Sequence, residues 1–167
     1  MSDGPALRVA VVTVSDRAFR GERDDRSGPA LAEAAEADGA AVVRREVVPD
    51  EPEALSALLA AMCDAPDAPD VVVTTGGTGL GPRDRTPEAT VAVCERLVPG
   101  IPEALRADSL RVTPHGMLSR GVAGVRGRTL VVNLPGSTGG ARDGWAVVAP
   151  IATHAAAQLR GGDHPAP

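Results

Sequence analysis

VVVTTGGTGLGPRDRTPEA, residues 71–89, decides the architecture. It passes from a β-branched run through a glycine-rich loop into a Thr-Pro-Glu helix start, which is the strand-to-helix passage of an α/β protein. Thr86 is the expected N-cap and Pro87 the first helical residue, where a missing N–H is harmless. The flanks repeat the pattern. Upstream, LRVAVVTVSDR (7–17) is the nearly continuous apolar run of a strand covered on both faces. RGERDDRSG forms a polar loop, and Ser27 is the expected cap of a helix through LAEAAEADG that Gly39 closes. AAVVRREVVPD (40–50) is a second strand, followed by a helix through LSALLAAMCDA that Asp50, Pro52 and Glu53 announce. Downstream, PEATVAVCERLV and PEALRADSLRV read as helices separated by VPGI. TLVVNL (129–134) reads as the last clear strand, and ARDGWAVVAPIATHAAAQLRGG as a long final helix kinked at Pro150.

Strands alternating with helices predict an α/β fold, a parallel sheet with helices on both faces and right-handed crossovers. The 167 residues suit a single domain with one buried core, expected over 7–160 between flexible ends at 1–6 and 161–167. Hydrophobic residues make up 43% of the chain but aromatics only 1%, Phe19 and Trp145 alone, so Val, Ala and Leu must build the core. Lys is absent and the net charge is −5. Without stacking platforms or a clustered basic surface, nucleic-acid binding is disfavoured. Cys63 and Cys94 fit no CxxC or zinc spacing and read as reduced thiols. MSDGPALRVA carries no basic segment followed by an apolar one, and no stretch reaches membrane-spanning length, so a cytoplasmic protein is expected.

In a parallel sheet, ligands bind beyond the carboxyl ends of the strands. Three loops there are unusual: VVPDE, TTGGTGLGPRD and NLPGSTGGA. Gly76, Gly77, Gly79 and Gly81 fall within six residues, more than one turn requires. A loop stripped of Cβ atoms lets successive N–H groups close on phosphate oxygens. It is neither a P-loop, since no Lys follows, nor a dinucleotide fingerprint, since the helix begins too late. Asp50 heads D-E-P-E and alone reads as a helix cap. Asp84 lies outside the Thr86 cap, between Arg83 and Arg85, and alone reads as half of a surface ion pair. Two carboxylates from neighbouring strand ends beside a phosphate cradle suit Mg²⁺, which completes its shell with phosphate oxygens and water. NLPGSTGG is either an ordinary strand-to-helix turn or a second anion site at a helix N-terminus, with Ser137 capping or donating. MLSRGVAG adds Ser119 and Arg120, a weak signal by itself. His115 reads as a loop residue and His154 as a helix-face residue.

VVTVSD with DRSGP, VVPD, TTGGTGxxPRDxTPEA and TPxxMLSRxxAGxRGxTLVVNLPGS, in that order and followed by a long helix, together resemble the molybdopterin adenylyltransferase family. The resemblance runs from about residue 7 to 160 and extends to the G domains of plant and animal cofactor-synthesis proteins, gephyrin among them. It implies a three-layer α/β/α sandwich with a mostly parallel sheet, a homotrimer, and transfer of AMP from Mg-ATP to the terminal phosphate of molybdopterin, with a molybdenum insertase acting next. By motif, Asp50 and Asp84 match the family's two essential acidic positions. Thr75, Gly76, Gly77, Thr78 and Gly79 match its nucleotide and phosphate loop, and Glu88 takes a supporting place. Ser119 matches the pterin-site serine, and Gly136 and Ser137 the LPGS turn. Thr138 and Gly139 depart from a Pro that many relatives carry there, and His115-Gly116 from a more apolar pair. The competing reading is a non-catalytic molybdopterin-binding or scaffold trimer, in which the pterin pocket persists but the carboxylate pair need not.

Overall fold

The computed structural model describes residues 6–162, so most of both expected flexible ends lies outside the described residues. The elements follow in order: β1 (Arg8–Val14), α1 (Asp16–Phe19), α2 (Ser27–Ala37), β2 (Ala41–Val48), α3 (Pro52–Asp64), β3 (Val71–Thr75) and α4 (Thr86–Val93). Then come β4 (Arg96–Leu97), α5 (Gly100–Leu110), a 3-10 turn (Pro114–Leu118), β5 (Ala123–Arg126), β6 (Thr129–Leu134) and α6 (Thr138–Leu159). One six-stranded sheet has the order β2-β1-β3-β6-β5-β4. The first four strands in that order are parallel, β5 pairs antiparallel with β6, and β4 pairs antiparallel with β5.

The period-two alternation of β1 and β3 sorts their side chains into two cores. Val9, Val11, Val71 and Val73 pack with Leu31 of α2 and Trp145 and Val148 of α6. Ala10, Val12 and Val72 pack on the other face with Leu55, Leu59 and Met62 of α3 and Ala89 of α4. Both sheet faces are therefore covered, which is why these strands read as unbroken apolar runs, and the three-layer sandwich is observed. Trp145, 2% exposed, donates its indole N–H to Asp38 at 2.8 Å, fastening α6 to the end of α2.

Several local expectations are corrected. Ser27 is not the cap of α2 but its first residue; Asp25 accepts from the Gly28 N–H at 3.0 Å and is itself anchored by the Thr13 hydroxyl at 2.8 Å. A carboxylate two residues upstream has taken the capping task. Thr86 is likewise the first residue of α4 rather than its cap, and its hydroxyl donates to the Gly76 carbonyl at 2.9 Å. The helix expected through Val98 stops at Val93, because Glu95 and Val98 donate to Val125 and Ala123, each at 2.8 Å, and the intervening residues form β4. The β4–β5 pair was not foreseen. It depends on Gly124, where a Cβ would stand 2.7 Å from the Cys94 sulfur. The last helix starts at Thr138, ahead of the expected Ala141, since the Ser137 hydroxyl caps it by accepting from Gly140 at 3.0 Å. It continues through Pro150 to Leu159.

Candidate active site

The chain passes from β1 to β2 on one side of the sheet and returns to β3 on the other, so the strand order switches between β1 and β3. Ligand sites form beyond the carboxyl ends at such a switch, and here the glycine loop occupies it. Gly76 has φ +106° and approaches so closely that a Cβ would lie 2.4 Å from the Val14 carbonyl oxygen at the end of β1. Gly77 has φ +67°, and its Cβ would lie 2.3 Å from the Thr86 hydroxyl and 3.4 Å from an Asp50 oxygen. The neck of the loop is closed by Thr86 in both directions, through its hydroxyl to Gly76 and its N–H to the Gly77 carbonyl at 3.1 Å. The distal half folds around Asp84, which accepts the Gly81 N–H at 2.9 Å and returns its own N–H to the Gly81 carbonyl at 3.0 Å. Gly76 N–H goes to the Leu134 carbonyl at 3.2 Å. The stretch that carries the anion-cradle reading is thus Gly77, Thr78 and Gly79.

Asp50 does not cap α3. Its carboxylate accepts the Asp16 N–H at 2.8 Å, and its own N–H donates to the Asp16 carboxylate at 3.0 Å, a reciprocal clasp between the ends of β1 and β2. Arg83 forks onto Asp16 from the glycine loop, at 2.6 and 2.9 Å. The two acids are therefore driven apart. Hydrogen bonding to Arg83 holds Asp16 below the usual carboxylate range, whereas burial pushes Asp50 up, and the negative charges of Asp16 and Asp84 add to that rise. A partly desolvated carboxylate repelled by two others is a place where a cation is stabilised. Among the described residues no three His, Cys, Asp or Glu side chains could enclose a metal. Asp50 and Asp84, hard oxygen donors on facing loops, instead fit an ion that takes few protein ligands, and Mg²⁺ is such an ion.

Thr78, Gly79, Ser119 and Ser137 line a cavity of about 610 Å³ beside the loop, together with Arg106 and Asp143. Asp50 is absent from that lining and borders a small recess with Arg83, Arg85 and Thr86. The Asp50 recess is accordingly distinct from the cavity, and Asp84, whose carboxylate lies against Gly79 and Gly81 of the loop, lines neither. Thr75 is fully buried, its hydroxyl donating to the Pro135 carbonyl at 2.7 Å, so it supports the site from beneath. Gly136 packs there too, since a Cβ would come within 3.1 Å of the Gly76 Cα. Glu88 pairs with Arg120 at 2.5 Å.

Sequence reasoning missed Asp16, Arg106, Asn133 and Asp143 as site components. Arg106 reaches from α5 to the Gly121 carbonyl at 3.1 Å, shaping the cavity wall. Asn133 joins Thr74, Thr90 and the Val122 N–H at 3.0, 2.9 and 3.2 Å. Its one visible signal was a lone amide in the apolar strand TLVVNL. A second cavity, about 570 Å³ and lined by Val98, Ile101 and Ile151, includes none of the candidate residues.

Residues 10–154 match the family described as "Probable molybdopterin binding domain". The chain belongs to this molybdopterin-binding family. It is 42% identical over 132 residues to a Helicobacter pylori protein named molybdopterin adenylyltransferase, covering 78% of this chain and 74% of that one. The solved molybdopterin biosynthesis enzyme MoaB of Thermus thermophilus matches with a TM-score of 0.86 and 48% identity, covering 93% of this chain and 97% of that one. A molybdopterin biosynthesis protein of Mycobacterium abscessus matches with a TM-score of 0.85 and 40% identity, covering 94% and 98%.

Proposed function

We propose that this chain is a molybdopterin adenylyltransferase of molybdenum cofactor biosynthesis, acting in the cytoplasm as a homotrimer and handing adenylyl-molybdopterin to a molybdenum insertase. The observation that carries the reading is the glycine loop at the strand switch, with a cavity lined by Thr78 and Gly79 and the carboxylates of Asp50 and Asp84 beside the loop. The names of the relatives support the same reaction. In it, a terminal phosphate oxygen of molybdopterin attacks the α-phosphorus of ATP. A new P–O bond forms, the bond to the β-phosphate bridging oxygen breaks, and pyrophosphate leaves with that electron pair.

A phosphate oxygen is already a competent nucleophile, so no general base is required and catalysis is positioning plus charge neutralisation. Gly77, Thr78 and Gly79 present backbone N–H groups to phosphate oxygens, and Ser119 and Ser137 orient the molybdopterin phosphate from the cavity side. Arg85 adds positive charge close to the acids. Asp50 and Asp84 would hold Mg²⁺, which when bound offsets charge on the nucleotide phosphates. Incubation of the purified protein with molybdopterin and Mg-ATP should release pyrophosphate and yield adenylyl-molybdopterin by mass spectrometry. Folded protein that binds molybdopterin and releases no pyrophosphate would leave the binding or scaffold role instead.

A further inference from the structure

The reaction as described makes no direct use of Glu88 or Arg120, yet Arg120 has the densest set of contacts around the loop. Its main-chain N–H donates to the Thr78 carbonyl at 2.9 Å, and its Nε to the Gly79 carbonyl at 2.8 Å. One terminal nitrogen donates to the Asp84 carbonyl and the other to the Glu88 carboxylate at 2.5 Å. Every nitrogen of the guanidinium is engaged with protein groups. Hydrogen bonding to Arg120 also holds the Glu88 carboxyl below its ordinary value, so the pair stays charged through neutral pH. Arg120 therefore ties the glycine loop to Glu88 of α4.

What it holds spans the cavity lining and the Asp84 end of the loop. Thr78, Gly79 and the adjacent Ser119 line the cavity, whereas Asp84 closes the far end of the loop. We infer that Arg120, fixed by Glu88, is a positioning residue that couples occupancy of the cavity to the placement of Asp84. The inference rests on the reading that the cavity takes molybdopterin. A ligand seated against Ser119, Thr78 and Gly79 bears on the Arg120 main chain, and the planar fork transmits that constraint to the Asp84 carbonyl. Lys, a point donor on a flexible stem, does not reproduce three divergent contacts.

The test compares wild type, Arg120→Lys and Glu88→Gln by steady-state kinetics, by molybdopterin binding without nucleotide, and by amide hydrogen exchange of residues 81–86. Arg120→Lys should lower kcat by about 100-fold while the molybdopterin Kd changes by less than about 3-fold. Glu88→Gln, which alters a half-exposed pair and leaves the arginine in place, should lower kcat by about 10-fold. Molybdopterin should slow exchange at residues 81–86 in the wild type, and both variants should lose that slowing. A Kd weakened in parallel with kcat would make Arg120 a ligand contact and overturn the inference. Wild-type slowing of exchange in the variants would overturn it too. If Arg120→Lys does not fold, Glu88→Gln decides by the same readings. Wild-type protein that binds molybdopterin without turnover would remove the adenylylation reading, and the exchange data would still decide the coupling; no binding at all would overturn both.

Discussion

At the scale of single residues, Asp16 and Asp50 show how one backbone clasp yields two different acids. Arg83 lowers Asp16, so its contribution to stability is present above the unfolded-state pKa and is lost as pH falls through the lower folded value. Asp50 has the opposite sign. Its raised pKa means the native state binds more protons, so stability declines as pH rises from the unfolded pKa through the folded one. Replacing Asp50 by Asn keeps an acceptor for the Asp16 N–H and removes the repelled charge. Asp50→Asn is therefore expected to abolish adenylylation while its melting temperature at pH 7 equals or exceeds that of the wild type. The excess should vanish as the pH is brought down through the carboxylate range. Scanning calorimetry across pH checks this, and a lower Tm at neutral pH would make Asp50 a structural acid. The sequence made both catalytic candidates visible, but it could not show the clasp, because Asp16 and Asp50 are 34 positions apart and meet only once β1 pairs with β2.

At the scale of elements, the loop's shape comes from contacts that glycine alone permits. Gly76 combines φ +106° with a Cβ position 2.4 Å from a carbonyl oxygen of the neighbouring strand, and a backbone oxygen cannot swing aside. Gly76→Ala should lower stability by about 1–3 kcal/mol from the backbone conformation alone, with the clash adding to it. Thr86→Val keeps the side-chain volume and deletes the donor to the Gly76 carbonyl, which should cost about 1–3 kcal/mol. Urea titrations measure both, and a wild-type midpoint for either would refute the closed-neck geometry. The long elements were legible because their periodicity repeats: β1, β3 and β6 are apolar runs, and α3 and α6 span several turns. Two short strands, Arg96–Leu97 and Ala123–Arg126, were not. Arg96–Leu97 carries no pattern and becomes a strand only because Ala123–Arg126 offers an antiparallel partner, which is a long-range event. Capping was misplaced at Ser27 and Thr86 for a related reason: Asp25 accepts the Gly28 N–H at the start of α2 and the Gly76 carbonyl takes the Thr86 hydroxyl, and sequence order reveals neither contact.

At the scale of the whole molecule, binding and chemistry can be separated, because neither Asp50 nor Asp84 lines the cavity. Any ligand that binds only the native state raises stability by mass action, by about 2.7 kcal/mol at 100 times its Kd. For a chain of this size that corresponds to about 5–10 °C in melting temperature. Trp145 reports the transition, because its buried ring joins α6 to the face of the sheet that α2 also covers, and the indole environment is lost when those layers part. Molybdopterin should therefore raise the melting temperature of the wild type without nucleotide. Asp84→Asn should show nearly the same rise, since Asp84 does not line the cavity and Asn retains an acceptor for the Gly81 N–H. The same variant should release no pyrophosphate and should keep the wild-type mass in light scattering, expected at three times 16.9 kDa. Loss of the thermal shift in Asp84→Asn would place that carboxylate in ligand binding, and loss of the assembly would make it structural. A preserved shift with no turnover is the one combination that assigns the cavity to the pterin and Asp84 to the transfer step.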